Sequence, residues 1–194
     1  MTLADLLSAL DSGETIPANS PLHAVMHETS QEALRITGEL NGSYHAPARV
    51  RELLAELTGG EIDESVTLFP PFTSDFGKNI RLGRRVFLNA GCRFQDQGGL
   101  EIGDDCLIGH NTVIATLNHD LAPSRRGDLH PSPVVIGRNV WIGANVTILP
   151  GVTIGDDAVI AAASVVTKDV PARALMVGSP ARMLRSVEDR LVEG

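Results

Sequence analysis

Between Ile136 and Pro171 the sequence reads IGRNVW IGANVT ILPGVT IGDDAV IAAASV VTKDVP, one six-residue pattern without interruption. Ile136, Ile142, Ile148, Ile154, Ile160 and Val166 open the blocks. Gly or Ala usually follows, and the fifth place is always small or β-branched: Val140, Val146, Val152, Ala158, Ser164, Val170. Two apolar positions in six residues match neither the 3.6-residue period of a helix nor the alternation of an ordinary strand. They match a solenoid of very short strands whose corners recur every six residues. In such a coil the opening aliphatic fills the core, the small fifth residue fits where walls meet, and Gly permits tight corners. A sandwich would space its turn signals more widely.

The pattern extends outward from there. LGRRVF and LNAGCR carry it from Leu82, it blurs at FQDQGG, and it resumes at Ile102 as IGDDCL, IGHNTV and IATLNH. The register slips at Gly98-Gly99, as a corner insertion requires. An irregular start is expected near Val66, through LFPPFTSDFG. Asp120–Pro133, DLAPSRRGDLHPSP, is polar and proline-rich and predicts a loop leaving the coil. A long loop in a strict solenoid is usually functional. After Pro171 the blocks fade, Gly178-Ser179-Pro180 turns the chain, and Ala181–Val192 is expected as a capping helix.

Upstream, Thr2–Leu10 predicts a short helix and Asp11–Ser20 breaks it. A second helical pattern runs from His23 to Leu40, with Val25, Met26, Leu34 and Ile36 apolar, until Asn41-Gly42. Pro47 suits the first turn of a third helix with Val50, Leu53, Leu54 and Leu57 on one side, stopped by Gly59-Gly60. The expected organisation is mainly β. A helical segment over 1–60 packs on a parallel coil over 61–180, and a C-terminal helix follows over 181–194.

At 194 residues and 43% hydrophobic, the chain can bury one core with appendages. Aromatics are only 4%, so branched aliphatics must do most of the packing. A net charge of −8 without a Lys/Arg run argues against a nucleic-acid surface. The N-terminus, MTLADLLSALDSGE, lacks a basic region before a long apolar one. No segment approaches the roughly 20 apolar residues of a membrane span. The chain reads as soluble and cytoplasmic. Cys92 and Cys106 both fall on the fifth place of a block, which predicts buried core residues rather than a disulfide or a metal pair.

The repeats, a loop beginning NHD, then NVWIGANVTILPGVTIGDDAVIAAASVVTKDVP and VGSPAR, together resemble one family. They look like the left-handed β-helix, hexapeptide-repeat acyltransferases, in the branch of galactoside, maltose and related sugar O-acetyltransferases. The resemblance spans roughly residues 20–186 and is most specific in the C-terminal half. It implies a homotrimer that uses acetyl-CoA and no metal, with active sites in clefts between coils. Left-handedness is implied by the resemblance, not by the period.

An alcohol attacking a thioester needs a base for its proton and donors for the tetrahedral oxyanion. Histidine suits the base, since its ordinary pKa of about 6.5 leaves it mostly neutral near pH 7. Of His23, His27, His45, His110, His119 and His130, the resemblance assigns catalysis to His119, in the LNHD segment. His110 reads as a solvent-facing wall residue and His130 as part of the loop. Asn89 suits a left-handed corner by itself; the resemblance gives it the acceptor hydroxyl or the tetrahedral centre. Phe87 stands where some relatives have Tyr, so any role of that hydroxyl is absent. Asp75, in the SDFG turn, matches an acceptor-contacting position, with Asp96 and Gln97 as weaker neighbours. The galactoside enzymes also carry an acceptor-binding Asp in their N-terminal helical region. No clear Asp matches it here; Glu28 and Glu32 are the acidic residues available.

Trp141, the only tryptophan, occupies an outward sixth place, which asks for a covering group such as a pantetheine arm or a neighbouring protomer. By resemblance the Ala144 N–H faces the thioester, Ala162, Thr167 and Lys168 line the continuing groove, and Arg182 and Arg185 meet CoA phosphates. No P-loop or GxGxxG competes for phosphate. The favoured function is acetyl-CoA-dependent O-acetylation of a sugar or similar small hydroxyl acceptor. Transfer to an amine or a xenobiotic alcohol is the alternative on the same scaffold. A zinc-dependent lyase of the same coil needs a converging histidine trio that this spacing does not supply. An inactive structural trimer leaves the co-occurrence of His119, Asn89 and Trp141 unexplained.

Overall fold

The structure, a computed structural model, describes residues 1–188. Its centre is a coil of three parallel walls. The first wall stacks Thr67–Leu68, Phe87–Leu88, Leu107–Ile108, Trp141–Ile142, Val159–Ile160 and Ala174–Val177. The second stacks Phe72–Ser74, Cys92–Gln95, Val113–Ala115, Thr147–Ile148 and Val165–Val166. The third stacks Ile80–Leu82, Leu100–Ile102, Val134–Ile136 and Thr153–Ile154. Each strand pairs in register with the equivalent strand one coil away, as Ile108↔Ile142↔Ile160 illustrates.

The six-residue pattern explains this stack. Opening residues such as Leu88, Ile108, Ile142 and Ile160 are at most 1% exposed, and the fifth-place Cys92, Cys106, Thr112, Val146, Ala158 and Ser164 are fully buried beside them. Glycine does a different job from the one the repeat suggests. The left-handed corner residue is the fourth of nine blocks: Arg85, Gly91, Asp105, Asn111, Asn139, Asn145, Gly151, Asp157 and Ala163 all have positive φ, whereas Leu117 and Asp169, fourth in IATLNH and VTKDVP, do not. Second-place glycines are instead required by closeness between coils. A Cβ on Gly143 would lie 2.6 Å from Ala162 N, nearer than a carbon can approach.

The ends of the coil are covered by the chain's own flanks. Helices α1 (Leu3–Asp11), α2 (Leu22–Gly42) and α3 (Pro47–Thr58) precede it. Thr2 caps α1 in a reciprocal box with Asp5, and Gly59 ends α3 at φ 72°. Ala33, Ile36 and Leu40 of α2 and Val50, Leu53, Leu54 and Leu57 of α3 join the coil's core. Asn41 takes the place of a missing strand: its side chain donates to Phe72 O and accepts from Phe72 N at 2.8 and 2.9 Å. Glu32 is a strut, paired with Lys78 at 3.4 Å. Glu28 and Glu32 are both exposed.

Two expectations are corrected. The segment Arg182–Ser186 is a strand, not a helix, and runs antiparallel to Ala174–Val177 with Val177↔Arg182 and Leu175↔Arg185 aligned. The last coil leaves a row of backbone groups unpaired, and a chain turned back at Gly178 (φ 92°) satisfies them. Met183 and Leu184 are 50% and 63% exposed on this strand. The rest of that expected helix, residues 189–192, lies outside the described residues. The loop at 120–133 is also more ordered than its composition suggests. Leu129–Pro131 pairs antiparallel with Leu117–His119, and a short 3-10 turn, Pro123–Arg125, lies between them.

Candidate active site

The corner between the first and second walls carries a cleft of about 490 Å³, lined by Asn89, His110, Trp141, Ala144, Ala162 and Leu175 among others. It stacks corner upon corner, so equivalent residues recur at coil spacing. In each corner the flanking N–H groups are used: Gly143 donates to Ile160 O and Asn145 to His110 O. The Ala144 N–H between them is taken by neither neighbouring coil, and the same holds for Ala162 between Ala161 and Ala163. The cleft thus offers a column of backbone donors. Asn89 does not sit in the left-handed place; Gly91 does. The Asn89 Oδ1 accepts from Ala90 N at 2.9 Å, which leaves Nδ2 as the donor end of a side chain that lines the cleft. His110, expected on a wall facing solvent, is exposed but belongs to this corner.

Outward residues of the first wall continue the cleft as an apolar stripe. Phe87, Leu107, Trp141, Val159 and Leu175 are register neighbours in successive coils. Trp141 is 56% and Leu107 49% exposed. Phe87 meets Phe69 edge-on at 5.1 Å.

Of the remaining expected residues, Asp75, Asp96, Gln97 and His119 lie on the next corner, between the second and third walls. Asp75 sits there in the first coil, Asp96 and Gln97 in the second, and the hairpin of His119 in the third. His119 is exposed, and its Nδ1 lies 2.8 Å from Arg126 O. A carbonyl can only accept, so Nδ1 carries the hydrogen and Nε2 presents a lone pair. That is the form a general base needs. His130, by contrast, has both ring nitrogens engaged, by Thr15 Oγ1 at 3.0 Å and Asp120 Oδ2 at 3.4 Å. It shapes the loop.

Asp96 is fully buried and clamps the turn that presents Asp75. It accepts from Ser74 Oγ at 2.7 Å, Phe76 N at 3.1 Å and Gly77 N at 2.7 Å. Burial pushes its carboxyl up to about 6, against the pull of those donors. Desolvation also raises Asp75 above the ordinary range. The Gln97 side chain is buried with Oε1 unpartnered. Between pH 4 and 6 the folded chain keeps a proton on Asp96 that the unfolded chain releases, so this group's contribution to stability falls as pH rises. The expected change is about 3 kcal/mol. Denaturant titrations of wild type and Asp96→Asn should show their stability difference shifting against wild type across that window. A constant difference would refute it.

A second cleft of about 350 Å³ lies at the end of this corner, lined by Thr167, Lys168, Arg182 and Met183 among others. Arg185 lies across from Leu175, which lines the first cleft. Among the described residues no three His, Cys, Asp or Glu side chains are grouped to hold a metal ion, and no helix is long and apolar enough to cross a membrane.

Residues 133–168 match the family described as bacterial transferase hexapeptide (six repeats), and residues 99–116 the hexapeptide repeat of succinyl-transferase. Galactoside O-acetyltransferase of Escherichia coli K12 is 37% identical over 154 residues, which is 78% of this chain and 76% of that protein. The chain belongs to the galactoside/maltose O-acetyltransferase family. A maltose O-acetyltransferase structure from Clostridium difficile 630 superposes with a TM-score of 0.87 at 34% identity, covering 97% of this chain and 99% of that one. A hexapeptide-repeat acetyltransferase of Vibrio cholerae O1 biovar eltor, complexed with acetyl coenzyme A, does so at 0.79 and 36%, covering 95% and 99%. The coil is the left-handed β-helix of these acetyltransferases.

Within this family's scaffold, the chain divides most of the expected site residues between two corners. Trp141, Ala144, Ala162 and Asn89 share the first; Asp75, Gln97, His119, Thr167 and Lys168 share the second. The second wall lies between them, four residues long at Cys92–Gln95, or about 13 Å of strand. Sequence reasoning missed the Arg126 carbonyl that sets the His119 tautomer. No residue-type signal marks it, because any residue can offer a carbonyl.

Proposed function

We propose that the protein transfers an acetyl group from acetyl-CoA to a hydroxyl of a sugar or similar small acceptor, in a ternary complex with His119 as general base. The observation that carries this is the His119 ring, fixed with Nδ1 on a carbonyl and Nε2 open. As the acceptor oxygen attacks the thioester carbonyl, Nε2 takes its proton. The developing oxyanion meets donors from the Asn89 Nδ2 and the backbone of the Ala144 corner. Asp75 supplies hydrogen-bond acceptors for other acceptor hydroxyls, with the buried Gln97 behind it. The thiol of coenzyme A leaves with a proton.

Because the two corners are set apart in one protomer, the site is completed between copies, in a homotrimer. The His119 corner of one copy faces the Asn89–Trp141 corner of the next. The stripe of Phe87, Leu107 and Trp141 is then covered, which accounts for its exposure in a single chain. Coenzyme A runs along the Ala144 and Ala162 corner, with Thr167 and Lys168 of the neighbouring copy lining the continuing groove and Arg182 and Arg185 meeting its phosphates. An acetyl-CoA-dependent thiol-release assay across sugars, amines and simple alcohols tests the reading. Turnover confined to amines, or none with any hydroxyl acceptor, would reject it. Arg182→Ala should raise the KM for acetyl-CoA several-fold with kcat nearly unchanged, since phosphate contacts are equally present in ground and transition states. If the acceptor KM rises instead, the arginine belongs to another subsite.

A further inference from the structure

The hairpin that carries His119 is held from outside as well as from the coil. Residues 15–18, between α1 and α2, cross its far edge and join it through a single antiparallel bridge at Ile16. Ile16 N donates to Leu129 O and Leu129 N to Ile16 O, both at 2.9 Å, while Leu129 is aligned with His119 on its other side. Ile16 is 1% exposed and packs in a cluster with Leu6, Leu10, Leu117 and Leu129. This strap is both bonded and packed.

Side chains extend the connection toward His119. Ala18 N donates to Asp128 Oδ1 at 2.8 Å. Thr15 Oγ1 lies 3.0 Å from His130 Nδ1, and His130 Nε2 lies 3.4 Å from Asp120 Oδ2. A neutral His130 with its hydrogen on Nε2 satisfies both, accepting from Thr15 and donating to Asp120. Asp120, the residue after His119, is 9% exposed and also accepts from Ala122 N and pairs with Arg125, at 2.8 and 2.9 Å. The bonds Asp128 N to Arg125 O and Asp120 N to Asp128 O close the turn that contains Arg126. The Arg126 carbonyl is the group that holds His119 Nδ1.

We propose that the strap at residues 15–18, acting through Asp128 and the Thr15–His130–Asp120 chain, is the positioning element of the His119 ring. It rests on the reading of His119 as the base. Neither Thr15 nor Asp128 touches the ring, so both are positioning residues. Their effect comes from holding the Arg126 carbonyl where it selects the tautomer and aims Nε2. A displacement of about 1 Å in such a group can cost up to 10²-fold in rate.

The test is a double-mutant cycle with conservative rescue. Asp128→Ala and Thr15→Val should each lower kcat by about 10-fold, with the KM for acetyl-CoA unchanged. Asp128→Asn and Thr15→Ser, which keep an acceptor and a hydroxyl, should restore most of it. In a His119→Ala background neither substitution should cost anything further, because the group they position is gone. The imidazole ¹⁵N spectrum of His119 should show the Nδ1–H tautomer in wild type and a mixture in Asp128→Ala. Should Asp128→Ala fail to fold, the Thr15 pair at the exposed end of the chain decides the matter. Unchanged kcat, or losses that add fully to that of His119→Ala, would overturn the strap while leaving the base in place. Near-wild-type turnover by His119→Ala would instead reject the base itself.

Discussion

His119→Ala should lower kcat by about 10²–10⁴-fold, the usual worth of general-base assistance, while acetyl-CoA still binds. The ring is exposed and outside the coil's core, so its removal leaves the fold intact. The residues expected to hold coenzyme A lie on other elements. Asn89→Ala should lose less, because backbone donors of the same cleft share the oxyanion. No acetyl-enzyme should accumulate. Cys92 and Cys106 are fully buried, their thiols are pushed up to about 11 by burial, and their sulfurs donate to carbonyls of Asn89 and Gly137 at 3.0 Å. Such thiols are poor nucleophiles near neutral pH. Steady-state kinetics with both substrates varied should give intersecting patterns. Ping-pong behaviour, or near-wild-type turnover by His119→Ala, would each refute the mechanism. His130 is a poor substitute base, since Thr15 and Asp120 already occupy both of its nitrogens.

What could be read from the sequence follows from which constraints are periodic. The coil was legible because each block repeats one packing problem: an aliphatic at the core, a small residue at the wall junction, and no Cβ where coils approach. Gly143 above Gly109 is such a case, a carbon's width from the next coil at both levels. The ends were less legible because they solve a problem that occurs once. An unpaired strand edge can be closed by a helix, by an amide such as Asn41, or by a returning strand such as Arg182–Ser186, and residue pattern does not choose among these.

The candidate site divides along the same line. Asn89, Trp141, Ala144 and Ala162 hold fixed places in blocks, so the coil sets them on one corner and their shared cleft follows from the period. His119 ends the last block before the loop, but the hairpin rather than the coil sets its surroundings. Its environment is built by residues far away in sequence, Thr15, Ile16 and Ala18 from the N-terminal segment and Arg126 from the hairpin tip. Those bonds use backbone groups or common side chains in a region without repeats. Asp96 illustrates the converse hazard: an acidic residue beside the expected acceptor site, buried and committed to three donors of the Asp75 turn.

The separation of the two corners leads to the second large effect. Asn89→Ala impairs one corner and His119→Ala the other, and the two corners of a working site are proposed to come from different copies. Each variant alone is then defective at every interface. In trimers assembled from an equal mixture, an interface can pair an intact His119 corner with an intact Asn89 corner. Random assembly makes about one interface in four of this kind. Co-denatured and renatured mixtures should therefore regain about a quarter of wild-type activity, far above either variant alone. Separate renaturation followed by mixing should give none, provided subunits do not exchange. A site built within one chain predicts the opposite result, since every chain in the mixture carries one lesion. An active monomer by sedimentation, or no recovery from trimers shown to contain both chains, would place the site within one chain and reject a site completed between copies.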